Sequence, residues 1–200
     1  MGDLFTGRTL IQNNRDRDEL DTPLQLDKKL RNKVVLLYFG SRDCPQCREF
    51  APALQAFSNR LLDEYYILRA AQLVLIYVSQ DTSEEQQQRY LKTLHRRWLF
   101  IPFQDKYKRD LLRMYDVKEM PCIIVLKPNG NLISRNGVAE ISMMGVNCFK
   151  NWWEASDAID RNFLLAEDLE DWTWKSLTDP LRQLKYKIKK VTTEMADGTE

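Results

Sequence analysis

Two hundred residues, 44% of them apolar and 10% aromatic, can fill one hydrophobic core and are too few for two full domains. A formal net charge of +1 leaves no global field to hold the chain on nucleic acid or anionic lipid. No run approaches the roughly 20 apolar residues of a membrane span, and residues 1–14 lack the basic-then-apolar layout of a secretory leader, so a cytoplasmic protein is expected.

Residues 5–13 (Phe-Thr-Gly-Arg-Thr-Leu-Ile-Gln-Asn) read as an opening strand, rich in β-branched and aromatic side chains. A charged loop follows to Asp21. Asp21 or Thr22 then caps a short helix with Pro23 in its first turn and Leu24, Leu26 and Leu30 as its apolar positions. Residues 34–39 (Val-Val-Leu-Leu-Tyr-Phe) are apolar without alternation, as a central strand covered on both faces requires. Gly40-Ser41-Arg42-Asp43 breaks that strand, and a helical pattern runs from Cys44 through Cys47, Phe50, Leu54, Phe57, Leu61 and Leu62, with Pro52 expected to bend it. Residues 73–78 form a second buried strand, parallel to the first because a helix crosses between them.

Ser83 and Gln86 make a capping box for a loosely packed helix over 84–96, with His95 solvated at its end. Residues 98–103 are an aromatic segment too short for a helix, and 110–115 a short helix. The strand 122–126, the turn Pro128-Asn129-Gly130-Asn131 and residues 132–134 predict a closing antiparallel hairpin. A last amphipathic helix is expected over 148–162. After Leu165 the composition shifts, so 1–165 is taken as the domain and 166–200 as a C-terminal extension, partly helical or disordered, carrying Trp172, Trp174 and a basic run to Lys190. The whole is an α/β chain with a central mixed sheet and helices on both faces.

Cys44-Pro45-Gln46-Cys47 at a helix start is the feature that carries chemistry. A thiolate, not a thiol, attacks a disulfide, and the free N–H groups of a helix N-terminus favour the anion, as do Arg42 and Arg48. Cys44 is the attacking sulfur, and Cys47, one turn on, resolves the mixed disulfide. Asp43 works against the neighbouring thiolate. Cys122 and Cys148 read as small core hydrophobes. A zinc site lacks a second close-spaced ligand pair, so no metal is expected. Base rates alone make the Met120–Pro121 bond trans.

Residues 35–50, 77–81, 98–103 and 117–121 (Val-Lys-Glu-Met-Pro) resemble the nucleoredoxin and tryparedoxin branch of the thioredoxin superfamily, and residues 4–11, 68–73 and 167–171 look like its nucleoredoxin-like members. The resemblance implies a thioredoxin-like fold and a cis bond before Pro121, with the Met120 backbone beside the sulfurs to pair with an extended substrate. It implies a dithiol oxidoreductase, with no nucleotide or metal cofactor, that acts on protein disulfides or a thiol carrier. It also implies a role in cone photoreceptor survival and redox protection, in photoreceptor cells, with nuclear presence or unconventional export. Thioredoxins proper carry a buried Asp six residues before the first cysteine and a Trp immediately before it; here these are Tyr38 and Asp43. Both departures predict weak, slow exchange, and they keep open a second reading in which the fold is a trophic or signalling scaffold for a receptor or client and the thiols are dispensable.

Overall fold

The computed structural model describes residues 2–62 and 72–156. Two strands at the centre organise the rest. β3 (Val34–Gly40) and β4 (Leu73–Ser79) are buried at every position and lie parallel in register, Val34 opposite Leu73 and Gly40 opposite Ser79. β6 (Cys122–Leu126) pairs antiparallel with the other edge of β3, and β7 (Leu132–Ser134) with β6. On the far side β5 (Leu99–Phe100) runs parallel to β4, and β1 (Leu10–Gln12) and β2 (Glu19–Leu20) complete the mixed sheet in the order β2-β1-β5-β4-β3-β6-β7.

Strand alternation divides the core in two. Leu36, Tyr38, Leu75, Tyr77, Ile123 and Val125 point to one face. There they meet Phe50, Leu54, Phe57 and Leu61 of α2 (Pro45–Leu62), Tyr90 and Leu91 of α3 (Glu84–Leu91), and Phe149 and Trp152 of α6 (Asn147–Ala155). Leu37, Phe39, Ile76, Val78 and Ile124 point the other way, onto Leu26 and Leu30 of α1 (Pro23–Leu30) and Leu111 of α4 (Tyr107–Met114). Each fully buried aliphatic or aromatic side chain removes enough surface from water to contribute about 1.5–3 kcal/mol. That is why an uninterrupted apolar run sits still here, at the middle of a sheet covered on both sides.

Several local expectations are corrected. The opening segment is not one strand: Gly2–Phe5 is a 3-10 turn, Gly7 has φ of +69°, and only Leu10–Gln12 pairs. Phe5 is drawn into the α1/α4 layer instead, edge-on to Tyr107. Ser83 caps α3 as expected, its hydroxyl accepting from Gln86 N–H, but Gln86 Oε1 accepts from Thr82 instead of Ser83. A complete capping box forms in α1, where the Thr22 hydroxyl accepts from Gln25 N–H and Gln25 reaches back to Thr22. α3 stops at Leu91 and is not loosely packed: Gln87, Tyr90 and Leu91 are buried. His95 lies beyond the helix, half-buried and edge-on to Trp98. The aromatic segment supplies a strand, and α4 begins at Tyr107.

A helix absent from the sequence reading, α5 (Gly137–Met144), stands between β7 and α6. It has no side-chain cap, and only Gly137 and Ile141 are buried, so its sequence carries little helical signal. The remainder of the last predicted helix, 157–162, the extension 166–200 and most of the 68–73 stretch lie outside the described residues.

Candidate active site

The loop joining β3 to α2 is held by a buried carboxylate. Asp81, just past the end of β4, accepts from Ser41 Oγ (3.0 Å), Arg42 N–H (2.6 Å), Tyr77 Oη (2.9 Å) and Ser79 Oγ (2.7 Å). Tyr77 also lies 3.1 Å from the Gly40 carbonyl, to which Gln80 N–H donates at 2.9 Å. Charge-assisted hydrogen bonds of this kind are about twice as strong as neutral ones, so residues 40–43 are fixed before the helix begins. Asp81 is not among the site residues expected from the sequence. Its signal was a lone acid among hydroxyls at the carboxyl end of a buried parallel strand, next to the strand that leads to the dithiol.

Cys44 immediately precedes α2 and is half-buried, and all four cysteines are free thiols. Its Sγ accepts from Cys47 N–H at 3.2 Å, one of the first-turn donors that no helical carbonyl can satisfy. The same sulfur lies 3.5 Å from the Met120 carbonyl and 3.5 Å from Gln46 Oε1, both acceptors for its thiol proton. The Met120–Pro121 bond is cis. Cys47 is fully buried, and burial, followed by the neighbouring Cys44, pushes its thiol well above the ordinary range, while a backbone hydrogen bond at Ser41 and then the Tyr38 hydroxyl pull the other way.

Beneath Cys47 lie three buried tyrosines. Tyr38 Oη is 2.6 Å from Tyr90 Oη, and Tyr90 donates to the Cys47 carbonyl at 3.2 Å. Because the Tyr90 proton is committed to that carbonyl, Tyr38 is the donor of the pair. Tyr77 stacks obliquely on both, with ring centroids 5.6 and 5.3 Å away. Burial raises all three phenols, so they remain neutral hydrogen-bonding groups.

The other predicted residues fall at different distances from the sulfurs. Asp43 is exposed, and its carboxylate accepts from Gln86 Nε2 of α3 at 2.7 Å. Arg42 and Arg48 are exposed. Cys122 sits opposite Phe39 in the sheet, and burial raises its thiol. Cys148 is buried in α6 and donates to the Gly145 carbonyl at 2.9 Å; burial, then the charge of Glu140, pushes it up to about 12. Among the described residues no three His, Cys, Asp or Glu side chains stand together as a metal-binding group. Against the dithiol opens a cleft of about 670 Å³ lined by Gln46, Glu49, Phe50, Met120, Pro121 and Val138, among others.

Residues 32–132 match the thioredoxin-like family. The chain is 52% identical to human nucleoredoxin-like protein 1 over 95% of its own length and 90% of that protein, and 50% identical to the Xenopus laevis protein over 94% and 87%. The chain belongs to the thioredoxin-like family, in its nucleoredoxin-like branch. A thioredoxin from Wuchereria bancrofti superposes with a TM-score of 0.59 at 32% identity, covering 76% of this chain and 96% of that one. In this thioredoxin-like chain the strand–dithiol–helix unit and the Met120–Pro121 segment lie within the matched residues, and the Tyr38 and Asp43 departures lie in the same stretch. No helix among the described residues is long and apolar enough to cross a membrane.

Proposed function

We propose that the chain reduces disulfides of proteins or of a small thiol carrier through Cys44, with Cys47 as the resolving thiol. One observation carries the reading: Cys44 Sγ sits between the N–H of Cys47 at 3.2 Å and the backbone carbonyl of Met120 at 3.5 Å. The N–H stabilises the attacking thiolate, and the Met120 backbone offers an extended polypeptide a strand-like partner beside the sulfur.

The steps balance as follows. Cys44 thiolate attacks one substrate sulfur, the substrate S–S bond breaks, and the departing thiolate takes a proton from solvent. Cys47 then gives its proton to solvent and attacks Cys44 Sγ, expelling the second substrate sulfur as a thiolate that takes up a proton and leaving a Cys44–Cys47 disulfide. Two electrons pass to the substrate, and an external dithiol or glutathione-type reductant restores the pair. Cys47 is the slower partner, since a buried thiol ionises only when its proton has somewhere to go and no carboxylate stands where thioredoxins carry one. Arg42 and Arg48 add a local positive field at the helix start, and Asp43, turned toward Gln86, opposes it.

The resemblance read in the sequence extends this to redox protection supporting cone photoreceptors. The scaffold reading rests on Tyr38 and Asp43, which blunt the chemistry without altering the fold. Reduction of insulin by wild type, Cys44→Ser and Cys47→Ser separates the two. Loss of turnover in Cys44→Ser, with a trapped mixed disulfide in Cys47→Ser, is expected; survival-promoting activity that persists in the double Ser variant would favour the scaffold.

A further inference from the structure

The cleft beside Cys44 has an uneven chemistry. Its apolar lining comes from Phe50 and Ala53 of α2, Met120 and Pro121, and Val138 of α5. Its charged lining is Glu49, also from α2, and Glu119, from the segment before Pro121, with no Lys, Arg or His among the described residues. Both carboxylates are exposed, and neither holds an ion pair among the described residues. The cations nearest in sequence are placed elsewhere: Lys118 pairs with Asp116 at 3.1 Å, and Arg42 and Arg48 do not line the cleft. Two of the lining residues, Gln46 and Met120, are the ones that contact Cys44 Sγ. A polypeptide whose cysteine reaches Cys44 therefore lays its neighbouring residues in this cleft.

We propose that the cleft selects extended polypeptide disulfides flanked by Lys or Arg, with Glu49 and Glu119 as the specificity-determining side chains. Long basic residues fit both halves of the lining: their methylene stems bury against Phe50, Ala53 and Val138 while their charged heads reach the two carboxylates. An acidic flanking residue meets repulsion and leaves the apolar wall uncovered. The chain's formal net charge of +1 supplies no such preference, so the selection is local to the cleft. This inference rests on the dithiol reading and names the substrate class of the same site.

The test uses the full chain and two disulfide-bonded peptides of equal length, one with Lys and one with Glu on either side of the cysteine. The quantity read is the ratio of the two kcat/KM values. Two exposed charge pairs give an expected preference of about fivefold for the Lys peptide at low salt, falling as salt screens it. Glu49→Lys with Glu119→Lys is expected to invert the ratio, and the Gln pair to bring it close to one. Equal rates for the two peptides in wild type, or a ratio unmoved by both double variants, overturn the proposal and leave the dithiol reading standing. Reduction of neither peptide overturns the dithiol reading. The cleft is then judged by fluorescence anisotropy of the same peptides with Ser for Cys: tighter binding of the Lys form upholds charge selection, and equal binding overturns it.

Discussion

The Tyr38 hydroxyl, buried at the end of β3, has two calls on its one proton. It donates to Tyr90, whose own proton goes to the Cys47 carbonyl, and after a backbone hydrogen bond at Ser41 it is the second group that draws the Cys47 thiol down against burial. Burial raises the phenol far above its ordinary value, so it cannot accept a proton from Cys47 as a carboxylate would. Its contribution is a hydrogen bond to the thiolate once formed. Tyr38→Phe is expected to cost about 1 kcal/mol of stability from the lost Tyr90 bond. It is also expected to lengthen the lifetime of a mixed disulfide between Cys44 and a small aromatic thiol by up to roughly tenfold, the equivalent of about 1.4 kcal/mol in the resolving step. Stopped-flow release of that thiol measures the second effect, and an unchanged lifetime would show that Tyr38 only packs. Asp43 was legible as a charge beside Cys44, but its bond to Gln86 was not, because that partner comes from α3, 43 positions away.

At the scale of elements, α5 shows how a weakly signalled helix is held by one close approach. A Cβ added at Gly137 would lie 2.5 Å from Ile123 Cγ2 and 2.9 Å from the Ile123 carbonyl, so the start of α5 rests directly on β6. Gly137→Ala is expected to destabilise the fold by about 1–3 kcal/mol, the usual cost of overpacking. Because Val138 and Ser142 of α5 line the cleft, disulfide reduction should fall with it. Urea midpoints and turnover measured together check this, and loss of neither would mean that β6 gives way freely. The same contact explains what was hidden. Gly-Val-Ala-Glu-Ile-Ser-Met-Met has neither a cap nor a continuous apolar stripe, and what makes it helical is tertiary. By contrast β3, α2 and β4 were readable because continuous apolar runs, a breaking Gly40-Ser41 and a 3.6-residue period allow little else there. The opening segment misled because only Leu10–Gln12 has strands to pair with, β2 on one edge and β5 on the other, and the residues before it do not.

Over the whole molecule, the layered sheet and the dithiol at its carboxyl end followed from patterns that repeat within a few residues, whereas the Asp81 hub and the tyrosine layer needed strands brought together by the fold. Those interior groups also set how stability responds to alkali. Burial raises the thiols of Cys47 and Cys148 and the phenols of Tyr38, Tyr77 and Tyr90 above their ordinary values near 9 and 10. In each, the folded chain retains a proton that the unfolded chain gives up. Above pH 9 the unfolded state therefore binds fewer protons, and the free energy of unfolding declines as pH rises. The protection is complete below the unfolded values and is lost as pH climbs toward the folded ones, at most about 1.4 kcal/mol per pH unit for each group. The urea midpoint is expected to be flat from pH 6 to 8 and to fall between pH 9 and 11, the thiols acting before the phenols. Cys148→Ala removes one of the early groups, so its midpoint starts lower at pH 7 but falls less steeply between pH 9 and 10 than that of wild type. Parallel curves for the two proteins across that interval would mean that Cys148 ionises as readily folded as unfolded, and that its place against Gly145 and Glu140 does not protect its proton.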